Sequence, residues 1–190
     1  MDFQEILLRR TIRRFQQKPL SEADFRALLN AARLASCASN RQRLRYIVAR
    51  EPGRVAAILP HTAYAALVKP HRDPVPGVNS PVAFIAVTAT EEPSSHLYAD
   101  AGAAIQSLEF AAWERSIGCC WLASFDREKA AALLEVKDAD RLLYLVALGY
   151  PAESPVREDI RGDGSPRYYL DSDDVLHVPK WTVDSITEWK

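Results

Sequence analysis

Apolar positions recur at helical spacing in "PLSEADFRALLNAARLAS" (19–36), where Phe25, Leu28, Leu29 and Ala32 fall on one stripe. Ser21 stands at the N-cap with Asp24 three residues on, and Leu20 and Phe25 are spaced to staple the helix start. A short N-terminal helix is predicted by the same logic: Asp2 with Glu5 resembles a capping box, and Phe3, Ile6 and Leu7 share a face. A longer helix is expected from about Tyr98 to Ser116. Ala101, Ala104, Ile105, Leu108, Ala111 and Ala112 give it a broad face of mostly small residues. Such a face admits a neighbouring helix or a flat ligand, and ordinary helix packing explains each alanine taken singly. "DREKAAALLEV" reads as a further helix capped by Asp126.

Elsewhere the pattern is that of strands. "LRYIVA" (44–49), "PVAFIAVTA" (81–89) and "CCWLAS" are short runs rich in β-branched or aromatic residues, and "RLLYLVALGYP" is a buried strand ended by Gly149 and Pro151. One or two short helices are expected in "REPGRVAAILPHTAYAAL". The four prolines of "VKPHRDPVPGVNSP" predict an irregular loop, long enough to act as a lid or pocket wall. From Ala152 the chain is polar and turn-rich, with brief extended pieces and a last short helix capped by Thr182. It nevertheless carries Tyr168, Tyr169, Leu170, Val175, Leu176, Val178 and Trp181 with little core of its own. An extension wrapped over a second subunit would bury them.

Composition narrows the class. With 190 residues, 48% apolar and 26% charged, the chain is expected to be one soluble domain with a substantial core. No stretch reaches the length of a membrane span. The opening "MDFQEILLRR" is acidic before it is apolar, unlike a secretory signal. Cys37, Cys119 and Cys120 make no disulfide framework, so a reducing cytoplasm is the expected location. His61, His71, His96 and His177 are scattered, so no metal site is expected. The phosphate-loop, dinucleotide and nucleophile-elbow patterns are all missing. Cys119 and Cys120 lie in an apolar strand, where burial outweighs nucleophilic chemistry.

Charge changes the picture most. The formal net charge is −1, yet "LLRRTIRRF" (7–15) packs two arginine pairs around one threonine, and basic residues outnumber acidic ones through Arg50. Later stretches such as "REDIRGDG" and "DSDD" are acidic. A nucleic-acid surface needs a basic face and a high isoelectric point, whereas here that point lies near 6.4. Positive charge gathered at one place in a neutral chain suits a small bound anion. Neither nucleic acid nor membrane is expected as a partner.

Four segments then fall into one register. "RRTIRRF" (9–15), "AARLASCASNRQRLRYIV" (31–48), "DAGAAIQSLEFAAWERSIGCCWLASF" (100–125) and "LLYLVALGYP" (142–151) together resemble the nitroreductase family of flavoproteins. The resemblance implies an α+β fold, a central mostly antiparallel sheet flanked by helices, built as an intertwined homodimer. Residues 1–151 would form the FMN-binding core and 152–190 an extension wrapping the partner. The cofactor implied is FMN, with NADH or NADPH as transient electron donor. Hydride would pass through flavin N5 to a small electron-poor acceptor such as a nitroaromatic, quinone or enone. No side chain need act as acid or base, so no catalytic residue is named. An FMN-binding or flavin-scavenging protein without turnover is the alternative, motivated by departures from the family pattern at Ser36, Arg43 and Ser116.

By family position Arg9, Arg10 and Arg13 surround the flavin phosphate or nearby flavin edge, with Thr11 supplying a hydroxyl. Arg14 has no such role and is expected on the solvated surface. Lys180, in "VPKW", occupies the place of a basic residue that reaches the phosphate. Ser36, Cys37 and Ala38 would line the flavin, with Asn40 and Gln42 fixing the turn or the polar flavin edge. Helix termination by Ser36 and Asn40 would place the same residues there, so both readings stay open. Leu122 and Ala123 would border the flavin ring, the Ala123 amide facing N5. Trp121 is expected in the core.

Overall fold

The computed structural model describes residues 2–190, apart from the side chain of Phe3, so that part of the predicted N-terminal apolar face lies outside the described residues. Six helices are seen among the described residues: α1 (Phe3–Leu7), α2 (Glu22–Leu34), α3 (Pro52–Ile58), α4 (Ser95–Glu114), α5 (Arg127–Leu133) and α6 (Val183–Ile186). The start of α2 is sealed as its sequence predicts. The Ser21 hydroxyl accepts the Asp24 N–H while the Asp24 carboxylate accepts the Ser21 N–H. The long helix α4 begins three residues earlier than expected, because Ser94 caps it by accepting the Leu97 N–H. Thr182 precedes α6 without a side-chain cap bond to its backbone.

Strands β1 (Leu44–Ala49), β2 (Ala83–Ala89), β3 (Gly118–Leu122) and β4 (Leu142–Gly149) form one antiparallel sheet in the order β1-β2-β4-β3. Strand alternation sends Phe84 and Ala86 to one face and Ala83, Ile85 and Val87 to the other. The first face packs against α3 and α5, the second against α2 and α4. Helices on both faces bury β2 completely. A register shift between Val87 and Thr88 turns Leu143 and Tyr144, neighbours on β4, toward the same face.

The arginine-bearing arm lies across the sheet end. Ile12 donates its N–H to the Cys119 carbonyl at 2.9 Å, Gln16 to that of Tyr150 at 2.8 Å, and Ala152 to that of Arg14 at 2.9 Å. Ile12 and Phe15 are fully buried beneath the arm. Gly118 faces Gly149 in the β3–β4 register and makes this approach possible. An added Cβ would stand 2.7 Å from the Ile12 side chain at Gly118 and 2.9 Å from Phe15 at Gly149.

After β4, three short strands make a second sheet: β5 (Val156–Ile160), β6 (Tyr169–Leu170) and β7 (Leu176–Trp181), in the order β5-β7-β6. The tail is less dependent on a partner than its composition suggested. Leu176 is buried in the chain's own first core, and Tyr168, Leu170 and Val178 pack against that core. Tyr169, Trp181, Val183, Ile186 and Trp189 remain exposed. His177 ties the small sheet together, with Nδ1 2.5 Å from Glu158 Oε1 and Nε2 2.9 Å from Asp171 Oδ2, under a stacked Tyr169 ring.

Candidate anion-binding site

Arg9, Arg10, Thr11 and Arg13 line a cavity of about 120 Å³ together with Tyr168, Val178 and Lys180. The two ends of the chain therefore meet, as the resemblance implied, with Lys180 on β7 lining the same cavity as the N-terminal cluster. The cations are not equally engaged. Arg9 pairs with Glu109 of α4, whose side chain is almost wholly buried and whose acidity burial weakens. The Arg10 guanidinium donates to the Arg9 carbonyl. Burial, then the charges of Arg157 and Arg9, lowers its pKa. The Arg13 guanidinium lies 5.5 Å from the centre of the Tyr168 ring.

Cations gathered around a small cavity repel one another unless an anion joins them. The Nε atoms of Arg9, Arg10 and Arg13 are buried and have no hydrogen-bond partner among the described residues. Orphaned guanidinium donors, a hydroxyl and an ammonium are the donor set that suits a phosphate dianion. The residues present fit the phosphate end of a mononucleotide such as FMN.

Ser36, Cys37 and Gln42 line a different cavity, of about 420 Å³, with Arg43, Tyr46 and Asp100 among its other walls. The loop leading to it is tightly specified. Asp100 accepts the Ala38 N–H at 2.8 Å and pairs with Arg43 at 3.1 Å, while Arg43 also reaches Glu91 at 2.9 Å. Gln42 donates its N–H to Cys37 Sγ and its side-chain amide to Asn40 Oδ1. Asn40 and Gln42 thus brace the turn itself. Ser39, Asn40 and Gln42 have φ of 51°, 52° and 50°, a left-handed backbone that costs non-glycine residues energy and often marks a working loop. Burial, then the neighbouring Cys37, pushes the Tyr46 hydroxyl up to about 12.

Other expectations divide. Leu122 is buried in the first core. Ala123 is exposed just beyond the end of β3. Trp121, expected in the core, is 38% exposed at the sheet edge, with its ring 5.1 Å from that of Tyr144. Arg14, expected on the solvated surface, is instead engaged: it pairs with Asp174 at 2.6 Å and donates to the His71 carbonyl at 2.8 Å. Burial raises both Cys119 and Cys120, the latter to about 12, which leaves neither as a ready thiolate. Sequence reading missed the partners Glu109, Arg72 and Glu153. Glu109 stands 100 positions from Arg9 and Glu153 140 from Arg13, too far apart to carry a local signal.

Residues 6–150 match the family model described as the nitroreductase family. The chain is 29% identical over 167 residues to the candidate NAD(P)H nitroreductase YfhC of Bacillus subtilis, covering 77% of this chain and 82% of that protein. Among solved structures, a nitroreductase family protein of Clostridium novyi superposes with a TM-score of 0.68 at 22% identity, covering 83% of this chain and 89% of the other. A candidate nitroreductase of Desulfovibrio desulfuricans, solved in complex with FMN, gives 0.62 at 29% identity, with coverages of 80% and 86%. Matched over most of its length, and with an antiparallel sheet held between two helical layers, the chain belongs to the nitroreductase family.

Proposed function

We propose that this protein is an FMN-dependent oxidoreductase that passes a hydride from NADH or NADPH to a small electron-poor acceptor such as a nitroaromatic, quinone or enone. One observation carries the reading: cations from both ends of the chain surround a small cavity, and the buried Nε atoms of Arg9, Arg10 and Arg13 have no partner among the described residues. The Desulfovibrio relative solved with FMN and the naming of YfhC for NAD(P)H support it.

Arg10, Arg13 and Lys180 hold the phosphate, Thr11 offers a hydroxyl, and Arg9 divides its charge between the cavity and Glu109. The exposed Ala123 amide is the donor proposed for the flavin edge. Bound FMN supplies the two-electron chemistry, so the protein's task is to bind, orient and exclude water. Ser36, Cys37 and Gln42 line a cavity separate from that of Arg9, Arg10 and Arg13. A homodimer in which each chain supplies one half-site unites the two sets, with residues 152–190 reaching toward the partner. The proposed location is the cytoplasm.

The test is spectroscopic. FMN-loaded protein should bleach on anaerobic addition of NADH or NADPH and regain its colour with an acceptor. A bound flavin that neither nicotinamide bleaches would favour the flavin-binding alternative without turnover. Failure to bind FMN at all would defeat both.

A further inference from the structure

Glu153 lies four residues beyond β4, with a side chain only 7% exposed, and lines none of the cavities described above. Its Oε1 accepts the backbone N–H groups of two consecutive arginines, Arg13 and, at 3.1 Å, Arg14. Its Oε2 lies 3.1 Å from Nε of Arg72, which comes from the proline-rich loop 68–81 and is 1% exposed. Arg72 also pairs with Asp174 Oδ1 at 2.8 Å, and Asp174 Oδ2 pairs with the Arg14 guanidinium at 2.6 Å. The circuit closes: Glu153 to Arg72, Arg72 to Asp174, Asp174 to Arg14, and the Arg14 backbone back to Glu153.

Two features give this ring a role beyond stapling. Two cations and two carboxylates make it formally neutral, so it adds no net charge to the neighbouring cavity. Fixing two successive N–H groups on one oxygen also sets the backbone at 13–14, and there the side chains part. Arg14 is consumed by Asp174, while Arg13 extends over Tyr168 into the anion cavity. A flexible guanidinium held in its binding geometry loses less freedom when an anion arrives.

We propose that Glu153 is a positioning residue for the anion cavity: it clamps the backbone of Arg13 and Arg14 so that Arg13 is presented to a phosphate, with Arg72 holding the clamp. The identity of the phosphate ligand rests on the FMN reading above, whereas the clamp does not. Removing Glu153 alone would leave the buried Arg72 with Asp174 alone, so the test uses the paired variant Glu153→Leu/Arg72→Met in the full chain.

FMN and riboflavin, which lacks the phosphate, are titrated into wild type, the paired variant, Arg13→Ala and the triple variant. The paired variant should lose at least about tenfold in FMN affinity, the scale of one charge-assisted hydrogen bond, with riboflavin unchanged. Adding the paired change to Arg13→Ala should cost nothing further. Retention of the FMN preference in the paired variant, or multiplication of the two effects, would overturn the proposal. Amide exchange supplies a reading that needs no flavin. Exchange at Arg13 and Arg14 should accelerate at least about tenfold in the paired variant while the Ile85 amide of β2 is unaffected. Unchanged exchange overturns the clamp, whereas wild type without any FMN preference overturns only the cofactor reading. Should the pair fail to fold, Glu153→Gln takes its place. The weaker acceptor should then speed exchange at both amides and reduce the FMN preference, and no change in either overturns the proposal.

Discussion

Arg43 and Asp100 form an ion pair of 3.1 Å whose side chains are 8% and 6% exposed. Arg43 follows Gln42, whose backbone is left-handed, and its pair with Asp100 ties the end of this loop to α4. Asp100 is shared, since it also accepts the Ala38 N–H. Asp100→Ala should therefore lower the urea midpoint and release the loop together, because it leaves a buried guanidinium with Glu91 alone. Asp100→Leu/Arg43→Met should recover the midpoint while leaving the Ala38 amide unprotected in hydrogen exchange. Wild-type stability in Asp100→Ala would mean that Glu91 suffices.

The approach of the arm to the sheet predicts an intolerance at Gly118. A methyl group there meets Ile12 atoms at 2.7 Å, and the neighbour is the branched Cβ itself rather than a flexible tip. Gly118→Ala should destabilise the fold by about 1–3 kcal/mol through overpacking and weaken FMN binding by moving the arginines. Thermal unfolding and flavin titration check the two effects. A variant with unchanged affinity would separate the arm's seat from the cavity.

How much of this could be read in the sequence follows from the range of each interaction. Helix α2 was legible because Ser21, Asp24 and the Phe25–Leu28–Ala32 stripe are local signals. Strand β2 was legible because it is an apolar run broken only by Thr88. The union of Arg9, Arg10 and Arg13 with Lys180 was reachable only through family position, since 167 residues separate the last two. Arg14 was misplaced because its fate depends on Asp174 and Glu153, which lie beside it only after the tail folds back. The tail's apolar residues were visible, but which of them face the chain's own core is set by the β5-β7-β6 pairing.

Arg9 and Arg13 should fail in different ways. Arg9→Met strands the buried Glu109 and should cost about 3 kcal/mol. Burial already raises the Glu109 pKa, and losing Arg9 raises it further. The folded variant then retains a proton that the unfolded chain releases, so its stability should fall as pH climbs above the ordinary value of 4.5. Arg13→Ala should leave that slope untouched and weaken FMN about ten- to a hundredfold, sparing riboflavin. Urea midpoints at acidic and alkaline pH, with flavin titrations, separate the two. Equal losses for FMN and riboflavin in Arg13→Ala would count against the phosphate assignment.

Val183, Ile186 and Trp189 give the tail an exposed apolar end, with Trp189 83% exposed. If that end covers a second copy, the full chain should sediment as a dimer, and deletion of residues 182–190 should yield a flavin-poor monomer that keeps its core. Deletion from residue 166 should be more damaging, since it also removes Leu176 from the first core. A full chain that is monomeric at micromolar concentration and still binds FMN would remove the reason for a shared site.

The His177 clasp gives the tail a defined pH dependence. Both ring nitrogens face carboxylates, Glu158 on β5 and Asp171 after β6, while Tyr169 stacks on the ring and donates to Glu158. Both nitrogens can donate only in the imidazolium. Hydrogen bonds to Asp171 and then Glu158 accordingly raise the His177 pKa above its ordinary 6.5, and the bond from His177 lowers that of Asp171 below 3.8. The histidine's contribution is complete below 6.5 and is lost as pH rises through its raised value. The Asp171 contribution is present above 3.8 and is lost as pH falls through its lowered value. The clasp is therefore strongest between those two ordinary values, and raising the pH should open the tail before the core. Proteolysis in the 161–167 turn should accelerate above neutrality in wild type, whereas His177→Gln should be cut rapidly at every pH. A cleavage rate independent of pH in wild type, or an NMR titration placing His177 at or below 6.5, would show that the tail is held by its apolar contacts alone.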